Sequence, residues 1–233
     1  MKSTRDTIYD ELRQRLTSGY YPPDASLVPL ALSEEFEVSR TPVREALALL
    51  ERDGLLVPTR RGFTLRLRSD EEMLELFEIQ AVLDATAAAS AALRRGPVDL
   101  ARLDALLDHA QSLEDPAQIR RSLNDWHETV RHAAHNGTVV AFLQTLDAQV
   151  KTSAPWRTPE VADTFTAAFA EHRAVTEAIR AQDAEAARIA MLQHHGHDRD
   201  RRIRQRVRVD GTTASTTAPV GPGRRDSAGN APP

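Results

Sequence analysis

Residues 37–63 read EVSRTPVREALALLERDGLLVPTRRGF. Val43, Leu47 and Leu50 recur at three- and four-residue spacing, which makes one side of a helix apolar. Ser39 or Thr41 can cap that helix, because a hydroxyl accepts the backbone N–H groups left free in the first turn. Pro42 suits the same turn, where its missing N–H would have had no partner. Gly54 supplies the stop. LLVP and GFTLRLR then read as two short strands on either side of the turn TRRG.

Toward the N-terminus, Ile8, Leu12 and Leu16 recur every four residues and give a first helix closed by Gly19. Pro22 and Pro23 force a turn, and Leu30, Leu32 and Phe36 suggest a short second helix across PLALSEEFE. Three short helices followed by a two-stranded wing describe a winged helix-turn-helix, assigned to residues 1–68. Ser69-Asp70 can cap the next helix, and from there every periodic segment is helical. Helices are expected near 70–95, 97–114, 116–135, 137–151, 160–181 and 183–206. Their stops are Gly96-Pro97, Asp115-Pro116, Asn136-Gly137, the run TSAPWRTPE and Gln182-Asp183. The fold class is therefore mainly α: a winged helix-turn-helix, then an antiparallel bundle of about six helices over residues 69–209. Residues 210–233 hold glycines and prolines but no aromatic, a composition expected to stay disordered.

The formal charge of −4 on 233 residues argues mildly against a nucleic-acid partner. Its distribution argues the reverse. Residues 1–68 carry +1, residues 69–198 carry −10 and residues 199–233 carry +5. Residues 38–68 alone hold Arg40, Arg44, Arg52, Arg60, Arg61, Arg66 and Arg68 against Glu45, Glu51 and Asp53. A small basic unit joined to an acidic body fits DNA reading, while a solvated mixed-charge face is the plainer alternative. With no cysteine, disulfides, thiolate zinc sites and cysteine nucleophiles are excluded. No stretch approaches the roughly 18 to 20 apolar residues of a membrane span, and MKSTRDTIYDELRQRL has no apolar signal core. A cytoplasmic protein without a membrane partner is expected.

The run V-S-R-T-P-V-R-E-A-L at Val38–Leu47, with the leucine-rich helix end and the R-R-G of the wing, resembles the DNA-binding domain of the GntR family of bacterial transcription regulators. Inward Val43, Leu47 and Leu50 leave Arg40, Thr41, Arg44 and Glu45 projecting from the other side. Arg40 and Arg44 are four apart and share a face near the helix N-terminus. An arginine fork can pair with guanine O6 and N7 in the major groove or bind phosphate oxygens. The resemblance assigns Arg40, Thr41, Arg44, Arg61 and Gly62 to double-stranded DNA, with Gly62 permitting close approach at the wing tip. An ion pair of Arg44 with Glu45 or Glu51 is the alternative.

LFEIQAVLDATAAASAAL, WHETVRHAAHN, EHRAVTEAIRAQDAEAA and MLQHH resemble the FCD effector-binding domain of the FadR subfamily, and six helices would place the chain in the smaller, VanR-like branch. Histidine spacing gives an independent indication. His172 lies ten residues before Gln182 and His194 twelve after it. In an antiparallel pair both stand roughly 15–18 Å from the turn. His127, nine before Asn136, reaches a matching depth. Three imidazoles from three helices suit a divalent transition metal such as Zn, Ni or Mn.

The resemblance implies a metal held by one Asp and three His, here His127, His172 and His194. The family's Asp stands four residues before the first His, where this chain has Leu123. Asn124 points within about 60° of His127 and can offer a weaker carbonyl oxygen, whereas Asp125 lies about 160° away. His195 and His197 are expected to face solvent.

The resemblance also implies a homodimer and a small-molecule effector, of the small organic acid class. The family's arginine on the first bundle helix is Gln80 here, which weakens recognition of a carboxylate by a two-pronged fork. Arg131, four residues from His127, can offer charge to an anion. Leu76, Ile79, Leu83 and Val130 are expected in the core rather than a pocket wall. A different class of function is a His-rich, metal-dependent hydrolase, in which an open metal position activates water. A third is an architectural DNA binder using the basic run at 199–209.

Overall fold

The computed structural model describes residues 2–153 and 165–215, with side chains to Val207. Helix α1 (Thr4–Ser18) starts where Ser3 Oγ accepts from the Asp6 amide at 3.2 Å, and it ends at Gly19 with φ 80°. Ile8, Leu12 and Leu16 are buried, as their spacing predicts. A two-residue strand, β1 (Ser26–Leu27), leads into α2 (Pro29–Glu35). In α2, Leu32 is buried and Leu30 is 44% exposed. The turn to α3 (Arg40–Arg52) needs a left-handed residue, and Glu37 adopts φ 54° there. Ser39 occupies the N-cap, but its side chain makes no capping hydrogen bond, contrary to the role expected for the hydroxyl.

Strands β2 (Leu56–Pro58) and β3 (Phe63–Leu65) form the wing. The sheet order is β1-β3-β2, antiparallel throughout. The third strand is absent from the sequence expectation because two residues carry no period. Leu12, Leu16, Leu27, Val43, Leu47, Leu50 and Leu55 close the core of this unit. Each such side chain contributes about 1.5–3 kcal/mol by leaving water.

Six further helices are described: α4 (Asp70–Arg94), α5 (Pro97–Ser112), α6 (Pro116–Ala133), α7 (Gly137–Thr152), α8 (Phe165–Arg180) and α9 (Ala184–Ser215). Their starts follow the local chemistry of the chain. Ser69 and Glu72 exchange the two hydrogen bonds of a capping box, at 3.2 and 2.9 Å. Asp115, Asn136 and Asp183 each accept an orphan amide at the head of α6, α7 and α9. Residues 160–164 of the expected fifth bundle helix lie outside the described residues. The last helix runs through Ser215 rather than stopping near 206, so residues 210–215 are helical where composition suggested a disordered tail. One glycine, Gly211, does not break it, and the first proline beyond comes only at 219. Residues 216–233 lie outside the described part.

Contrary to expectation, α4 is long and apolar enough by composition to cross a membrane. Its apolar character has a simpler cause: Ala85, Ala88, Ala91 and Ala92 let it pack closely into the bundle core, with Trp126 at the centre. Ile79, expected in that core, is 51% exposed.

The two units are tied through α7. Ala148 packs into the core of the N-terminal unit. Gln149 Nε2 donates to the Asp53 carbonyl at 2.8 Å, just past α3, and Arg13 Nη2 donates to the Gln144 carbonyl at 2.6 Å. Arg68 Nη2 donates to the Gly54 carbonyl at 2.7 Å.

Candidate functional site

The nucleic-acid face is built by α3 and the wing. Val43, Ala46, Leu47 and Leu50 turn inward, which leaves Arg40, Thr41, Arg44 and Glu45 exposed. Arg61 is exposed at the wing tip. Among the described residues, Arg40, Arg44 and Arg61 enter no ion pair, so the alternative pairing of Arg44 is not formed. Gly62 also has a role within the fold. A Cβ there would stand 2.3 Å from the Leu27 carbonyl oxygen, so the close approach it permits is between the wing and β1.

Arginines of the basic run at 199–209 are engaged in ion pairs. Arg201 pairs with Glu171 at 3.2 Å, Arg202 with Asp198 at 2.6 Å and Arg206 with Asp70 at 3.3 Å. These pairings tie Arg201, Arg202 and Arg206 to carboxylates of the chain itself.

His127 of α6, His172 of α8 and His194 of α9 meet in the bundle, with ligand atoms within 4.8 Å of one another. Ring centroids are 4.4 Å apart for His172 and His194, 5.0 Å for His127 and His172, and 5.2 Å for His127 and His194. Trp126 backs the cluster, edge-on to His172 at 4.5 Å, with its indole N–H donated to Thr176 at 3.1 Å.

Two of the three rings are held in a defined sense. His172 Nδ1 lies 2.6 Å from the Ala168 carbonyl, which can only accept, so Nδ1 carries the proton and Nε2 keeps its lone pair. His194 Nδ1 lies 2.8 Å from Glu171, which fixes the same tautomer. Neither His172 Nε2 nor His127 Nδ1 has a hydrogen-bond partner, although both atoms are buried. Burial, then neighbouring His194, pushes the His172 pKa down to about 3. Burial, then His172 and His194, pushes His127 well below its ordinary value. Buried neutral imidazoles with free nitrogens are what a transition metal requires, and this triad fits a metal site.

Other expected residues are placed differently. Asn124 is exposed, while Leu123 and Trp126 on the same helix are buried. His197 faces solvent as expected, but His195 has a side chain only 13% exposed, and its Nε2 lies 3.0 Å from Asp84 Oδ2.

Arg131 is buried and internally committed. It pairs with Asp84 through two hydrogen bonds of 2.7 and 2.8 Å, with Asp147 at 2.5 Å and with Glu128 at 2.9 Å. An anion would have to displace one of these carboxylates. Gln80 donates to Asp147 Oδ1 at 2.5 Å.

Burial raises the Asp84 carboxyl, but Arg131 and His195 outweigh it and hold the pKa at about 2. Glu171 is likewise held at about 2, by His194 and Arg201 against the effect of its own burial. Sequence reasoning missed Asp84 and Glu171, though both left signals. Asp84 is the lone charge in the apolar run from Ala81 to Leu93, and His194, His197 and Arg201 recur at three and four residues on the face opposite Glu171.

Family comparison agrees with this architecture. A profile described as "Bacterial regulatory proteins, gntR family" matches residues 4–64, and one described as "FCD domain" matches residues 75–197. The HTH-type transcriptional regulator YdhC of Bacillus subtilis (strain 168) is 25% identical over 197 residues, 82% of this chain and 87% of that protein. The HTH-type transcriptional repressor GlaR of Escherichia coli (strain K12) is 25% identical over 199 residues, 80% and 90% of the two chains. The solved structure of E. coli McbR/YncC shares the fold, with a TM-score of 0.74 at 24% identity over 88% of this chain and 99% of that one. These relatives are transcription regulators, which sets aside the metal-dependent hydrolase. With a DNA-reading unit and a helical domain that each match their own profile, the chain belongs to the GntR family of bacterial regulatory proteins and carries an FCD domain, a DNA-binding transcription regulator.

Proposed function

We propose that the chain is a cytoplasmic, homodimeric regulator whose operator affinity responds to a small molecule bound beside a divalent transition metal. Residues 1–68 form the DNA-reading domain and residues 69–209 the sensor. Arg40, Thr41 and Arg44 meet base edges and phosphates in the major groove, and Arg61 contacts the backbone from the wing, with Gly62 shaping its tip. Two recognition helices of a dimer would read successive half-sites of a pseudo-palindromic operator. Six bundle helices support the VanR-like branch. His127, His172 and His194 hold the metal, with Zn, Ni or Mn as its identity. When bound, the ion supplies the positive charge and open positions suited to a small organic acid, a charge Arg131 cannot offer while paired. An effector shifts the operator equilibrium only by as much as its affinity differs between the two arrangements of the dimer.

One observation carries the reading: Arg40 and Arg44, exposed and without an ion pair among the described residues, project from the head of a helix whose other face is buried. Selection of bound fragments from the source genome, followed by gel-shift titration, tests it. Arg44→Ala is expected to lose about 1–3 kcal/mol of specific binding. Failure to enrich any fragment, or an Arg44→Ala protein that binds the enriched one unchanged, would overturn it.

A further inference from the structure

The carboxylate missing at Leu123 has a counterpart elsewhere in the fold. Asp84 projects from α4 and is fully buried. Its ligand atom, with those of His127 and His195, forms a second set within 4.8 Å, so His127 is common to both donor sets. We propose that the metal centre extends beyond the three histidines to Asp84 and His195, with Asp84 supplying the oxygen donor from a different helix. This extension rests on the metal reading above.

Three observations support it. The first is spacing. Ligands about 2.0–2.2 Å from one ion stand roughly 3.0–3.4 Å apart at octahedral to tetrahedral angles. His194 Nε2 and His127 Nε2 are 3.3 Å apart, and His195 Nε2 and Asp84 Oδ2 are 3.0 Å apart. The second is unmet bonding capacity. His195 Nε2 is buried, and its one close polar neighbour among the described residues is the Asp84 carboxylate at 3.0 Å. His172 Nε2 is equally without a hydrogen-bond partner.

The third is charge. Asp84, Asp147 and Glu128 all converge on the single guanidinium of Arg131, so the network carries more negative than positive charge. Asp84 and Asp147 are 0% and 15% exposed, which leaves water little room to compensate. A divalent cation beside Asp84 restores the balance. Asn124, exposed on α6, takes no part.

Binding of Co(II) to tag-free, full-length protein stripped with chelator reads both affinity and donor set, through competition titration and the visible d–d bands. Asp84→Asn and His195→Ala are each expected to weaken Co(II) at least tenfold and to alter the bands, whereas Asn124→Ala leaves both unchanged. Circular dichroism establishes folding. Should Asp84→Asn fail to fold beside buried Arg131, His195→Ala decides, since it leaves both Arg131 hydrogen bonds to Asp84 in place. Unchanged affinity and bands in His195→Ala and in folded Asp84→Asn, with binding lost in His172→Ala, would overturn the extension and leave the three-histidine site standing. If wild type binds no Co(II), or His172→Ala binds it equally, the metal reading itself falls and the extension with it.

Discussion

The Tyr9 hydroxyl donates to Asp53 Oδ2 at 2.5 Å, and burial, followed by that carboxylate, raises its pKa from 10.0 to about 12. The sign of the effect on stability follows from linkage. Below pH 10 both folded and unfolded chains keep the proton and the bond contributes fully. Above pH 10 the unfolded chain releases it first, so stability is lost as pH rises through the folded value of about 12. Because Tyr9 is only half-buried, the loss is expected on the order of 1 kcal/mol. Urea denaturation at stepped alkaline pH should show wild type falling more steeply than Tyr9→Phe; parallel curves would remove the bond from the account. His127, His172 and His194 were legible one by one because helix spacing converts counts from a turn into depth. Asp84 and Glu171 leave only a lone charge and a spacing in the sequence, because their partners come from other helices and the sequence does not say which faces meet.

The wing holds to the domain through β1, whose two residues pair with β3 at Ser26↔Thr64 and Leu27↔Phe63. Gly62 precedes that pairing and lies against the Leu27 backbone. Gly62→Ala is expected to push the wing from β1 and cost about 1–3 kcal/mol in urea denaturation. If Gly62 served DNA contact alone, stability would not change. Among the bundle helices, α4, α5, α6 and α7 were legible within two residues at each end, because prolines and capping side chains mark their starts. The end of α9 at Ser215 is not marked in the sequence, because charge and a glycine suit a tail as well as a helix. The third strand was beyond reach, because a two-residue strand is made by its partner rather than by its own pattern.

The net charge of −4 spreads unevenly, and the fold explains where its positive end goes. Arg201 and Arg206 of α9 reach Glu171 and Asp70, and Arg202 pairs with Asp198 one turn earlier, while among the described residues Arg40, Arg44 and Arg61 enter no ion pair. The tie between the two units was not legible at all, since Gln149 and Asp53 lie 96 residues apart and neither residue type announces a partner. Gln149→Ala is expected to lose about 0.5–1.5 kcal/mol and to speed amide exchange at Gly54 and Leu55, with exchange in α5 and α6 unaltered. Equal exchange in wild type and variant would mean that the bond does not hold the end of α3.

On α7, Asp147 faces Arg131 and Gln80, while Gln149 faces the end of α3. Residues two apart on a helix point about 200° from one another, so α7 is gripped on nearly opposite sides. It behaves as an axle between two collars. A roll of about 20° carries side-chain tips some 7 Å from the axis by about 2.4 Å, in opposing directions at the two grips. The hydrogen bonds at both grips are broken by such a displacement. Whatever loosens Asp147 by turning α7 therefore also releases Asp53, and a re-seated DNA-reading helix would in turn pull on the buried charges around Arg131.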